Sequence, residues 1–133
     1  MSLNPAVTFN GECKEAFHFY AETFGGKVAA LLSWGASPMA SQVSADWHGK
    51  ILYGRVVIGD RELVGGDIPP GSYQKPQGIS LQYGPKDVAD SQRVFAALAE
   101  GGSITLPLQQ TFWSASYGIV TDRFGIPWEI NCE

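Results

Sequence analysis

The sequence has few cysteines, few histidines and no long hydrophobic run. Its two cysteines, Cys13 and Cys132, lie far apart among 133 residues and form no CxxC motif. This spacing indicates reduced thiols rather than a disulfide framework. No apolar run approaches the roughly 18 residues that a membrane-spanning helix needs, and no basic, apolar secretory leader is visible. We therefore expect a cytoplasmic protein that does not enter a membrane.

Charged residues are also sparse, at 17% of the chain, and the formal net charge is −4. The nine Lys and Arg residues are scattered along the sequence, which predicts no patch for binding nucleic acid. A hydrophobic fraction of 44% is typical of a globular protein. A chain of this length can bury a core without disulfides or metals, so we predict a single domain over residues 1–133.

The most informative feature of the sequence is a pattern that occurs twice. Residues 10–28 and 85–104 each read as an amphipathic helix, a Gly-Gly pair and the start of a strand. The two halves also end alike, at residues 58–61 and 120–123. The repeat of roughly 65 to 75 residues is too long for a solenoid unit. It predicts two fused copies of one small α+β module.

Each copy predicts the element order βαβββ. Asn10 and Asp87 are expected to cap the two helices, and the Gly-Gly pairs at 25–26 and 101–102 are expected to end them. Residues 78–83 alternate and predict the first strand of the second copy. We predict an α+β fold in which module one (about 3–67) and module two (about 78–132) form a curved sheet around a cavity.

Several segments carry a resemblance to a known family. The most specific lie in the second half, at residues 98–108, 111–113 and 122–132, and residues 9–16 of the first half match as well. These segments resemble the PhnB-like branch of the vicinal oxygen chelate superfamily, which includes glyoxalase I, bleomycin-resistance proteins and extradiol dioxygenases. The PhnB-like domain is also labelled 3-demethylubiquinone-9 3-methyltransferase. The resemblance implies paired βαβββ modules around a cavity, usually in a homodimer.

Metal-dependent members of that superfamily place four His or Glu ligands on the first and last strands of the modules. The resemblance puts Glu129 at one of these positions. The other three fall on Val64, Gly78, and Pro5 or Ala6. One carboxylate without an imidazole is a poor ligand set for zinc, nickel or iron. We therefore predict no metal site and no cofactor.

Glu129 is nevertheless the candidate catalytic residue, and two interpretations of it remain open. It is either a buried carboxylate whose pKa is raised by desolvation, so that it can act as a base, or a hydrogen-bonded structural residue of the last strand. Ser80 and Gln82 form the polar side of their predicted strand. They point either into the cavity or to a half-exposed surface, and Gln82 is a candidate ligand-binding residue.

Aromatic residues supply the other candidate ligand-binding positions. Phe112, Trp113 and Tyr117 cluster between two predicted strands, where they either wall a ligand pocket or pack in the core. Tyr53 stands where many PhnB-like sequences carry a histidine, so the resemblance places it near the cavity.

These observations predict a metal-free protein of the glyoxalase and bleomycin-resistance type that binds a small organic molecule. The acidic charge balance favours a cationic ligand. The alternatives are a lyase, isomerase or dioxygenase that uses a metal or Glu129, and an interaction module whose interior is filled by its own side chains. Methyl transfer is not expected, because nothing in the sequence resembles the glycine-rich first turn of a doubly wound cofactor-binding fold.

Overall fold

A computed structural model describes all 133 residues and separates them into two compact units, Met1–Gln74 and Lys75–Glu133. The boundary falls in the segment between the two predicted modules. Neither helix of the chain is long and apolar enough to cross a membrane.

The first unit has the predicted order βαβββ. Its elements are β1 (Ala6–Phe9), α1 (Cys13–Phe24), β2 (Lys27–Ser33), β3 (Ile51–Ile58) and β4 (Arg61–Asp67). The strands form a mixed sheet in the order β1-β4-β3-β2, in which β1 runs parallel to β4 and the other pairs are antiparallel. The long connection between β2 and β3 contains only two short 3-10 turns.

The second unit repeats this arrangement. Its elements are β5 (Leu81–Tyr83), α2 (Val88–Ala99), β6 (Ser103–Gln109), β7 (Ser116–Thr121) and β8 (Pro127–Cys132). The strand order β5-β8-β7-β6 matches that of the first sheet, again with one parallel pair at the edge. The predicted duplication of a βαβββ module is therefore confirmed, and the fold is α+β.

Helix α1 forms because apolar residues recur at helical spacing. The buried face consists of Cys13, Ala16, Phe17, Tyr20, Thr23 and Phe24. This face packs on β2, β3 and β4 and makes the core of the first unit. The helix ends at Gly25, whose φ of 72° lies in the left-handed region that glycine adopts without strain. The predicted end of α1 is confirmed.

The start of α1 differs from the prediction. Asn10 does not cap it, since the helix begins after Glu12 and no local side chain accepts a hydrogen bond from its first turn. Asp67 at the end of β4 acts instead: its Oδ1 accepts hydrogen bonds from the backbone N–H groups of Gly11 (3.0 Å) and Cys13 (2.9 Å). Its Oδ2 accepts another from Ile51 N–H at 2.8 Å. One buried carboxylate thus ties the helix start to two strands.

Helix α2 begins as predicted, because the Asp87 carboxylate accepts a hydrogen bond of 2.7 Å from the N–H of Asp90. Its buried residues are Ser91, Val94, Phe95 and Leu98. Val88, the first residue of the helix, is 41% exposed because it precedes the residues that pack on the sheet.

Strand β5 is shorter than predicted. Pairing with β8 covers only Leu81–Tyr83, while Gly78 has a φ of 71° and Ile79 is 74% exposed. The left-handed backbone at Gly78 breaks the extended conformation that the alternating sequence suggested. Ser80 therefore precedes the strand rather than lying within it.

Each helix packs on one face of its own sheet, and we call the opposite side the helix-free face. In β8, Trp128 and Ile130 are buried at 4% and 0% exposure, whereas Glu129 between them is half-buried. Because successive side chains of a strand point to opposite sides, Glu129 lies on the helix-free face of the second sheet.

Candidate functional site

The candidate site is built around Glu129 in the second unit. Strand pairing sets Glu129 between Ile119 of β7 and Gln82 of β5. Side chains at paired positions share a face of the sheet, so the helix-free face carries an apolar residue, a carboxylate and an amide in one row across three strands.

Three neutral groups donate hydrogen bonds to the Glu129 carboxylate. Ser80 Oγ donates to Oε2 at 2.7 Å, and the Tyr117 hydroxyl donates to Oε1 at 2.8 Å. Gln82 Nε2 donates to Oε1 over a longer distance of 3.4 Å. The structure thus brings together two of the predicted ligand-binding residues, Gln82 and Tyr117, with the predicted catalytic residue.

These hydrogen bonds lower the pKa of Glu129, whereas one interpretation of the sequence expected it to be raised. The bond from Ser80 is the largest cause of a lowered pKa at Glu129, and the bonds from Tyr117 and Gln82 act in the same direction. Burial opposes them but is outweighed. The interpretation with a raised pKa is therefore wrong, because donors that stabilise the charged form win over desolvation. Glu129 is an anion at neutral pH.

Tyr117 shows the reciprocal effect. Its hydrogen bond to Glu129 is the largest cause of a raised pKa, followed by burial and the charge of the carboxylate. The phenol therefore stays protonated and acts as a fixed donor to Glu129. With Ser80, Gln82 and Tyr117 as donors, about one of the carboxylate's four lone-pair positions remains for a further donor.

The aromatic residues predicted near this site form a connected group beside Glu129. The Trp113 ring meets the Tyr117 ring edge to face, with centroids 5.1 Å apart. Phe112 meets Trp113 in the same way at 4.8 Å. Phe112 and Trp113 are 96% and 49% exposed, so the alternative of ordinary core packing does not hold for them.

The loop that carries these rings is anchored by a residue that the sequence did not single out. The Ser114 hydroxyl, which is buried, lies 2.9 Å from the carbonyl oxygen of Ser116 and 2.8 Å from that of Cys132. Ala115 N–H also donates to Cys132 O at 2.7 Å. These bonds fix the loop base to the end of β8. A serine between aromatic residues and a strand gives no sequence signal for such a role.

Tyr53, the remaining predicted ligand-binding residue, belongs to the first unit. It lies on β3 and is 45% exposed. Its neighbour Gly54 faces α1, since a Cβ there would lie 3.1 Å from the Phe17 ring. Tyr53 therefore points to the helix-free face of the first sheet, and its part in ligand binding stays a prediction.

The side chains around Glu129 do not fit a divalent transition metal. Its neighbours are two hydroxyl groups and an amide nitrogen that donate to the carboxylate, whereas such metals are held by imidazole, thiolate or several carboxylates. In the whole chain, no group of three or more His, Cys, Asp or Glu side chains is arranged to hold a metal ion.

A separate pocket of about 360 Å³ lies within the first unit, at the start of α1. Its lining includes Lys14, His18 and Lys50 together with Glu12, Glu15 and Asp67. Charges of both signs alternate there, and the Asp67 carboxylate is occupied by backbone N–H groups. The pocket therefore favours no single class of ligand.

One family model and several known proteins match this chain over nearly its whole length. The family model described as 3-demethylubiquinone-9 3-methyltransferase matches residues 1–131. Protein YjdN of Escherichia coli K12 is 32% identical over 139 residues, covering 98% of this chain and 95% of YjdN. Protein PA1353 from Pseudomonas aeruginosa is 42% identical, with a TM-score of 0.90 over 100% of this chain and 98% of that one.

A more distant likeness concerns the fold alone. A glyoxylase/bleomycin resistance protein/dioxygenase domain from Frankia sp. EAN1pec is 13% identical, with a TM-score of 0.64 over 99% of this chain and 96% of that one. The duplicated βαβββ arrangement is thus the glyoxalase and bleomycin-resistance fold.

Proposed function

Because the chain belongs to the PhnB-like family described as 3-demethylubiquinone-9 3-methyltransferase, within the vicinal oxygen chelate superfamily, we propose that it is a metal-free binding protein for a small organic cation. We further propose that it works in the cytoplasm as a homodimer. The observation that carries the proposal is an ionised Glu129 that accepts hydrogen bonds from Ser80 and Tyr117, with the exposed Trp113 ring against Tyr117.

The chemistry of this site suits an ammonium or similar group attached to a flat body. An ionised carboxylate accepts charge-assisted hydrogen bonds, which are roughly twice as strong as neutral ones. An aromatic face attracts a cation and stacks on a planar ligand. Trp113 and Tyr117 offer such surfaces next to the charge, so one ligand can use both interactions.

The enzymatic alternatives have weaker support. A general base works best when its pKa lies near the working pH, and the pKa of Glu129 is moved away from neutrality. The family description names methyl transfer, but the two mixed four-stranded sheets differ from the doubly wound sheet that carries a nucleotide-type cofactor at its glycine-rich turn. We therefore assign neither base catalysis nor methyl transfer.

Two ligands of the same shape test the proposal on the wild-type protein. We expect 2-phenylethylammonium to bind about tenfold or more tightly than neutral 2-phenylethanol, because only the former pairs with the carboxylate. NMR titration measures both affinities and should shift the Trp113 indole and Tyr117 signals. Equal affinities for the two ligands, or shifts that leave Trp113 unchanged, would refute a cation site at Glu129.

Divalent metals provide a second test. A ligand that binds the native state raises the melting temperature, so a metal with no site leaves it unchanged. We expect no rise in melting temperature when zinc, nickel or manganese is added in excess to chelator-treated protein. Stoichiometric metal retained after dialysis, with a rise in melting temperature, would favour the metal-dependent alternative.

A further inference from the structure

The helix-free face of the first sheet carries a cation at its centre. Arg55 lies on β3, between Val56, which is fully buried, and Gly54, which faces α1. By alternation along the strand, Arg55 points to the helix-free face. Strand pairing sets it beside Ala30 of β2 and Val64 of β4, so its neighbours across the sheet are apolar.

The protein leaves the Nε atom of this guanidinium buried and without a hydrogen-bond partner. The nearest carboxylate oxygen, Glu62 Oε1, lies 3.8 Å from Nε, which is beyond the range of an N–H···O hydrogen bond. A buried donor without a partner is unfavourable. The Arg55 side chain as a whole is 40% exposed although Nε is buried, so an incoming anion approaches the guanidinium from its terminal nitrogens.

Apolar surface adjoins the cation on the same face. Tyr53 lies two residues before Arg55 on β3 and is 45% exposed. Leu32 of β2 pairs with Tyr53 across the sheet and is 40% exposed. A half-exposed aromatic ring and a half-exposed aliphatic side chain beside a cation suit a ligand that joins an anionic group to an apolar body.

The duplicated fold gives this arrangement a counterpart of opposite sign. In the second sheet the row across β7, β8 and β5 is Ile119, Glu129 and Gln82. In the first sheet the corresponding row across β3, β4 and β1 is Arg55, Val64 and Ala6. Each module therefore carries one charge in the same row of its helix-free face, an anion in the second and a cation in the first.

We propose that Arg55 is the centre of an anion-binding site on the first module, selective for a small carboxylate with an aromatic or aliphatic body. The planar guanidinium matches a carboxylate through two parallel hydrogen bonds. The ligand body covers Tyr53 and Leu32, which removes apolar surface from water. This site goes beyond the cation site at Glu129 and does not depend on it.

Benzoate is the probe, and calorimetry or NMR titration measures its affinity. We expect Arg55→Gln to weaken benzoate binding about tenfold or more, since glutamine lacks both the positive charge and the two parallel N–H donors of the guanidinium. Arg55→Lys keeps the positive charge but loses the planar pair of N–H donors, so its benzoate affinity should lie between those of the wild type and Arg55→Gln. Glu62→Gln removes a competing carboxylate and should tighten binding. Melting temperatures should change little, because exposed ion pairs add little stability.

Two controls distinguish binding at Arg55 from binding at Glu129 and from binding of any anion. Glu129→Gln should leave benzoate affinity unchanged while it weakens 2-phenylethylammonium, so failure of one site is distinguishable from failure of the other. Inorganic phosphate should bind the wild type more weakly than benzoate, because it has no apolar body. The proposal is overturned if wild type does not bind benzoate, if Arg55→Gln binds it equally well, or if phosphate binds as tightly.

Discussion

Replacing Asp67 with alanine is expected to lower the free energy of unfolding by about 3–5 kcal/mol, a value in the range for disrupting a buried charged network. Asp67 is 3% exposed and accepts hydrogen bonds from the N–H groups of Gly11, Cys13 and Ile51. Alanine leaves these three donors without their carboxylate partner, and the bonds from Cys13 and Ile51 are buried. Because Asp67 lies on β4 and accepts from the start of α1 and from β3, the loss weakens the attachment of the helix start to both strands.

Urea denaturation of the two proteins measures this effect. Asp60→Ala is the matched control, because its side chain is 94% exposed in the turn before β4, and we expect a change below about 0.5 kcal/mol. Asp67→Asn keeps one acceptor oxygen but turns an NH2 donor toward one N–H group. Its loss of unfolding free energy should therefore be smaller than that of Asp67→Ala and larger than that of Asp60→Ala. A loss under about 1 kcal/mol for Asp67→Ala would contradict the capping role.

Replacing Glu129 with glutamine is expected to weaken 2-phenylethylammonium binding about tenfold or more, while the fold is retained. Glutamine has nearly the same shape but no charge, and the half-buried position tolerates it. Ser80 and Tyr117 contact different carboxylate oxygens, so one hydroxyl still donates to the amide oxygen and the other accepts from the amide NH2 group. Loss of affinity with unchanged urea denaturation would locate the effect in ligand recognition rather than in folding, and an unchanged affinity would remove Glu129 from the site.

The pH dependence of binding follows from the lowered pKa of Glu129. A carboxylate with a depressed pKa in the folded state contributes its full stabilisation above the usual glutamate range and loses it as the pH falls through the lowered value. Cation binding should follow the same course, since protonation removes the charge. Glu129→Gln should lack this acid transition.

The sequence predicted features that depend on local pattern. The duplicated βαβββ order follows from two amphipathic helices, each followed by Gly-Gly. Gly25 ends α1 and Asp87 caps α2 as expected, because such signals act within a few residues. The cluster of Glu129, Gln82 and Tyr117 also follows from strand order and alternation once the duplication is recognised.

Features that depend on distant contacts could not be predicted. Asp67 caps α1 across 54 residues of sequence from Cys13, so the local candidate Asn10 was a reasonable but wrong expectation. The direction of the pKa shift at Glu129 depended on whether Ser80 and Tyr117 direct their hydroxyl groups at the carboxylate. Composition and spacing do not fix that geometry, and burial alone suggested the opposite sign.

The most direct measurement is the pH titration of the Glu129 side-chain carboxyl carbon by NMR, with and without 2-phenylethylammonium. We predict a midpoint below the usual glutamate value in the protein alone, and a further decrease when the cation is bound, since the ligand stabilises the charged form. A midpoint above the usual value, or one that the cation does not move, would contradict an ionised carboxylate that recognises a positive ligand.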